Sequence, residues 1–468
     1  MSPDWCRSME GHWRTTGTSA MLDIYQPSRR LCDGLPRRDF LKIGALGAFG
    51  LSLADLWRAE ASVSRPVAGP EKSCILLWLQ GGPSQIDTFD PKPEQPAEIR
   101  GPFEAIETNV SGIRVTEPFP KLARCAHHYA LIRSVHHPLA DHGRNGHQWM
   151  LCGRSAAGVA YPSIAAVISR LRGGKSLLPR HVAVPNLAYF DQVPAVGLAQ
   201  TGGLLGEEYA PVVPEGTLGS PDLRLPNVTR PAGVTTGRDQ RRRTLLAGAG
   251  EPALSGTAPG HALDRIQEKA FHLIDSGGMR QAFDLTREPE RLRDRYGRNP
   301  VGASVLLARR LVEQDVRFVT VNWPNYYEWD NHADIEGAIG QHLGPTLDRA
   351  LSALLDDLPQ RGRLESTLGV AMGEMGRTPK MGAEAGIYTN GRGHWGGVLT
   401  VLMAGGGVQG GQVIGASDDQ GAYPASHAVS PSDIAASVYH VFGIRPTDSL
   451  PVPGGRVLDQ GEPIAALF

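Results

Sequence analysis

The run Cys74-Ile75-Leu76-Leu77-Trp78-Leu79 is apolar at every position and stops at Gln80-Gly81-Gly82-Pro83. A strand without polar alternation must be covered on both faces, the condition of a central strand in a parallel sheet. Residues 130–135, 181–185, 316–321, 367–372 and 398–404 predict further strands. Helical patterns separate them. One opens at Tyr161-Pro162-Ser163, others cover 262–285 and 303–312, and Leu347, Leu351, Leu354, Leu355 and Leu358 recur at i, i+3, i+4 spacing. Ser430-Pro431-Ser432-Asp433 begins the last, with Ser430 or Ser432 as its cap. Strands alternating with helices predict an α/β fold with a mostly parallel central sheet and helices on both faces. Residues 202–260 lack a sustained period and read as a loop-rich surface excursion, with Arg238 to Arg243 on a solvated helix face.

The amino-terminal region has a different logic. Pro36-Arg37-Arg38-Asp39-Phe40-Leu41-Lys42 precedes an apolar stretch, residues 43–54, and then Ala59-Glu60-Ala61. This order is that of a twin-arginine export signal, and the apolar part is too short to span a bilayer stably. The expected organisation is a signal peptide over residues 1–61 and one α/β domain over 62–468. The twin-arginine translocase is the partner in export, and the destination is periplasmic or secreted. The long stretch before Arg37 carries Trp5, Cys6, Trp13 and Cys32, unusual for an export signal; a start at Met21 would leave an ordinary basic lead, so residues 1–20 read as an annotation artefact. The 47 basic and 48 acidic residues provide no electrostatic footprint for nucleic acid or an anionic membrane. Beyond the signal only Cys74, Cys125 and Cys152 remain, which allows at most one bridge or three buried thiols.

Ligands of such sheets bind beyond the carboxyl ends of the strands, and four polar clusters fall there. After the first strand come Asp87 and Asp90, oxygen donors suited to a hard cation; Asp90, before a proline, reads as a local turn residue. Six of the fifteen histidines fall between His127 and His147. Imidazole is both a metal ligand and a proton carrier, so His142, Asn145 and His147 are candidates for catalysis. Asp330 and His332 stand two apart in an extended loop and can face one ion. Glu374 follows another strand, with Arg377 as a candidate oxyanion clamp and His394 just beyond.

Residues 347–377 resemble the helix–strand–metal-loop unit of sulfatases, within the alkaline phosphatase superfamily. Met150-Leu151-Cys152-Gly153-Arg154 resembles the end of the sulfatase signature. Gly81-Gly82-Pro83-Ser84, Trp329-Asp330-Asn331-His332, the stretch from Gly373 to Pro379 and Gly391-Arg392-Gly393-His394-Trp395 resemble the domain-of-unknown-function family 1501. The resemblance implies an alkaline phosphatase/sulfatase-like fold and a divalent metal ion (Ca, Zn, Mg or Mn). It also implies hydrolysis of a sulfate or phosphate ester, an anionic substrate such as a sulfated or phosphorylated glycan. It assigns Asp87, Asp330, His332, Glu374 and His394 to the metal, with Glu374 in place of the family's aspartate. The departures are specific. Gly143 falls where sulfatases carry their nucleophile, His147 on the signature arginine and Met375 on the expected histidine. Attack then passes to metal-activated water or to His142 or His147. A non-catalytic metal-binding or surface-assembly protein is the alternative.

Overall fold

The apolar run at Cys74 is strand β1 (Ser73–Trp78), buried along its whole length. In the computed structural model it lies inside a seven-stranded sheet. The other strands are β2 (Tyr129–Val135), β3 (His181–Val184), β4 (Phe318–Asn322), β5 (Thr367–Met372), β6 (Leu399–Gly405) and β7 (Gln412–Ile414). The spatial order is β7-β2-β6-β5-β1-β4-β3. β1 pairs in parallel with β4 and β5, β3 with β4, and β7 with β2. β6 alone runs against its neighbours β5 and β2. The structure describes residues 71–468 apart from 174–178, 186–198, 217, 219–222, 224–233, 249–280, 325–327, 383–389, 446–447, 449, 453–454 and 457–460. The Arg37-Arg38 segment and most of the stretch 262–285 lie outside the described residues.

Alternation along β1 explains its composition. Ile75 and Leu77 join one apolar cluster, while Cys74, Leu76 and Trp78 join another on the opposite face. Helices α1 (Arg144–Cys152), α2 (Ile164–Leu171) and α5 (Pro431–Val441) cover the Trp78 face, and α3 (Pro300–Glu313) and α4 (Gly344–Gln360) cover the Leu77 face. Each such buried aliphatic side chain stabilises the fold by about 1.5–3 kcal/mol relative to exposure. The five leucines from Leu347 to Leu358 are buried on one face of α4, as their spacing predicts. Ser430 is the cap of α5: it accepts the Asp433 amide while the Asp433 carboxylate accepts the Ser430 amide. Arg238, Arg241 and Arg242 lie exposed on the helix Thr236–Gly248. Cys74, Cys125 and Cys152 are free, buried thiols, and burial pushes the Cys125 thiol up to about 12.

The sheet's polarity collects the polar clusters at one rim. β1, β2, β4 and β5 all deliver their carboxyl ends there. Because β6 runs in reverse, its amino end reaches the same rim, with Leu399 opposite Val135. The segment just before it, His394–Trp395, pairs antiparallel with Gly376–Arg377 as a short ribbon.

Candidate metal centre

The glycine turn after β1 is the surface on which the site is assembled. Gly81 has φ of +115°, and a Cβ there would sit 2.4 Å from the Asp330 backbone nitrogen. Only glycine tolerates both the angle and that approach. Gly82, with φ of +79°, meets Met375 in the same way. Trp329, fully buried and edge-on to Trp323 at 5.1 Å, anchors the chain just before Asp330. The Arg392 amide bonds to the Asn331 carbonyl at 3.1 Å, which draws the His394 segment alongside.

Three imidazoles and one carboxylate converge above this turn. His394 Nε2 lies 3.0 Å from His142 Nε2 and 3.1 Å from His332 Nε2. Asp330 Oδ1 is 2.9 Å from His332 Nε2 and 3.1 Å from His394 Nε2, and Oδ2 is 3.2 Å from His142 Nε2. A single ring nitrogen carries either one hydrogen or one lone pair. His394 Nε2 therefore cannot satisfy three such neighbours by hydrogen bonding, whereas a cation among them would accept every lone pair. Ligand atoms of His142, Asp330 and His394 all lie within 4.8 Å of one another. Nitrogen-rich sets of this kind suit zinc and its transition-metal neighbours better than calcium or magnesium, which favour oxygen shells.

A second layer fixes these groups. Glu374 is fully buried; its Oε1 accepts the Gly81 amide at 2.9 Å and faces His142 Nδ1 at 2.8 Å. A carboxylate on Nδ1 holds the proton there and turns the Nε2 lone pair toward the cluster. Arg377 bonds Asp330 Oδ1, the Gly81 carbonyl at 3.2 Å and the Arg392 carbonyl at 3.1 Å. The charges are coupled. Burial disfavours the Asp330 anion, but His142, His394 and Arg377 outweigh it and hold this carboxyl well below the usual range. Burial likewise opposes the His142 cation, yet Asp330 and Glu374 raise that imidazole to about 9. Glu374 is lowered, its burial outweighed by His147 and His142.

A family model described as a protein of unknown function, DUF1501, matches residues 71–468. The chain belongs to the DUF1501 family. No curated protein matches this DUF1501 chain. Among solved structures it is similar to the PsFucS1 sulfatase from Pseudoalteromonas sp., at 14% identity and TM-score 0.37, covering 85% of this chain and 71% of that one. It is also similar to the alkaline phosphatase from the Antarctic bacterium TAB5, at 12% identity and TM-score 0.33, over 81% and 99% of the two chains. A third is the lipoteichoic acid synthase LtaP from Listeria monocytogenes, at 10% identity and TM-score 0.34, over 83% and 78%.

Of the residues singled out in the DUF1501 sequence, Asp330, His332 and His394 come together, and His142, the candidate for catalysis, lies among them. Glu374 stands behind His142, its Oε1 meeting both the Gly81 amide and the imidazole. Asp87 is not at the cluster. Its carboxylate meets Arg392 at 2.6 and 3.1 Å, both side chains fully buried, and it takes the Ser84 hydroxyl at 2.5 Å. Arg377, the candidate oxyanion clamp, turns its guanidinium to Asp330 and to the Gly81 and Arg392 carbonyls. His147 is fully buried in α1, its ring 5.8 Å from Trp78, and burial lowers its basicity. Asn145, in the first turn of α1, bonds no member of the cluster among the described residues. Asp90 pairs with Lys92 and Arg133, as a structural residue would. Sequence reasoning overlooked Gln85, which clips the Arg377 backbone at 2.9 Å in both directions, and it left Arg392 without a role. The two-residue ribbon that aligns them has no periodic signal.

Proposed function

We propose that this DUF1501 chain is an exported, divalent-metal-dependent hydrolase of sulfate or phosphate esters. The observation that supports it is the meeting of His142, His332, His394 and Asp330 from three separate segments at the carboxyl rim of the sheet. The His394 and Asp330 side chains keep 27% and 19% of their surface exposed, so an anionic substrate can reach them, whereas Glu374 keeps none. A bound cation would polarise the ester and acidify a water. The chain's own residues hold and orient: Glu374 sets the His142 tautomer, Arg377 aims Asp330, and Gly81 lets the segments meet. Glycine at position 143 leaves attack to water. The Arg37-Arg38 signal supports delivery to the periplasm or beyond, and no helix among the described residues is long and apolar enough to cross a membrane.

One observation favours a binding protein instead. Arg377 and Arg392 are each about 1% exposed and bonded inward, so neither faces a transferred anion. Two measurements separate the readings. Metal analysis of periplasmic protein should find about one equivalent of divalent metal, lost in His332→Ala. Release of sulfate or phosphate from aryl esters should fall in step with metal content. Metal retained without turnover selects the binding protein, and less than about 0.2 equivalents after gentle purification sinks both.

A further inference from the structure

Two large apolar side chains are exposed among the described residues, and one of them, Tyr423 at 55%, packs on the residue that follows His394 in the chain. Its ring lies 5.3 Å from that of Trp395 at an interplanar angle of 62°. Trp395 directly follows His394 in the ribbon. The indole N–H is already satisfied by the Ala422 carbonyl at 2.6 Å, so what the pair offers to solvent is aromatic surface and the Tyr423 hydroxyl.

The loop that carries Tyr423 is rigidly built. Asp418 accepts the Ala422 amide at 2.7 Å and the Gln420 and Tyr423 amides at 3.2 Å, and its own amide bonds the Tyr423 carbonyl at 2.8 Å. Gln85 donates to the Gly421 carbonyl at 2.8 Å and to the Arg377 carbonyl at 2.9 Å. One buried amide thus ties this loop to the arginine that aims Asp330. A loop backbone fixed by so many bonds has little freedom left to lose on binding, and the Tyr423 ring it presents rests on Trp395, which favours a recognition role. Asp419 and Gln420, exposed in the same loop, offer hydrogen-bonding groups. Aromatic surface on a loop that also carries a carboxylate and an amide matches a ligand with apolar C–H faces and a hydroxyl rim.

We propose that Trp395 and Tyr423 form a saccharide-binding platform that holds the non-reacting part of a glycan ester. It rests on the ester-hydrolase reading for its purpose and deepens it by naming the substrate class. Successive residues of a strand face opposite ways, so Trp395 stands across the ribbon from His394. A substrate touching both must therefore be longer than one sugar, and binding energy gathered at the platform can be used at the ester.

The test compares the intact mature protein with Tyr423→Ala, using Leu245→Ala, the other exposed apolar residue, as control. Native gels containing sulfated or desulfated polysaccharide report binding without turnover. Hydrolysis of sulfated tetrasaccharides and of p-nitrophenyl sulfate reports the reaction. Tyr423→Ala should weaken polysaccharide binding and raise KM for the tetrasaccharide about five- to tenfold. Metal content, melting temperature and aryl ester kcat/KM should stay within twofold. Polysaccharide bound but never cleaved defeats the hydrolase and leaves the platform standing. Tetrasaccharide cleavage indifferent to Tyr423, no binding to any polysaccharide, or a Tyr423-dependent dimer in place of glycan binding overturns the platform.

Discussion

Glu374 Oε1 lies 2.8 Å from His142 Nδ1 and simultaneously accepts the Gly81 amide at 2.9 Å. One buried carboxylate therefore joins the turn after β1 to the loop after β2. The donor group depends on this junction, since His142 can present Nε2 only while Nδ1 keeps its proton.

Glu374→Gln should keep the fold and lose much of the metal. An amide can accept the Gly81 N–H but supplies no negative charge to the imidazole. Affinity should drop about 10- to 100-fold, read by competition with a chromophoric chelator. Unchanged affinity would show that Glu374 does not act through His142.

Asp87→Asn separates a structural aspartate from a ligand. The substitution leaves Arg392 buried with a neutral partner, a defect of about 3–5 kcal/mol for a buried pair broken on one side. Denaturant unfolding should shift by that order while bound metal stays near one equivalent. Stable protein that loses its metal would reverse the assignment.

Gly81→Ala should damage the site more than the fold. Its Cβ would meet the Asp330 backbone nitrogen at 2.4 Å, and its φ lies where alanine is strained by about 1–3 kcal/mol. Moving the 329–330 segment relieves the clash by carrying Asp330 off the histidines. Metal content should fall below half, with a melting transition that remains cooperative.

Metal binding should release protons at pH 7. With His142 raised to about 9, the metal-free protein carries a proton there that a cation must displace. Calorimetry in two buffers of different ionisation enthalpy measures the number, expected near one, and affinity should rise from pH 6 to 9. The stability effect has the opposite sign. A histidine raised from 6.5 stabilises the metal-free fold fully below that pH, and the contribution is lost as pH climbs through about 9. Metal-free protein should therefore weaken across that window, and His142→Gln should flatten the dependence.

The local chain carried the elements and the two-faced burial. The unbroken apolar run of β1, the leucine spacing of α4 and the capping Ser430 are each legible within a few residues, because periodicity and capping are short-range constraints. Grouping polar residues after strands also located the rim. Only the tertiary structure decided which of those residues meet. Asp87 and Asp330 look alike as loop aspartates, yet one is locked to Arg392 and the other faces three imidazoles. That difference arises from the reversed direction of β6, the contact of Gly81 with Asp330, and the bonds of Gln85 to Arg377 and of Asp87 to Arg392, the last two joining residues 292 and 305 positions apart. Carboxylate chemistry is set by the groups that surround it, and those neighbours come from strand order in space, which residue spacing along the chain does not encode.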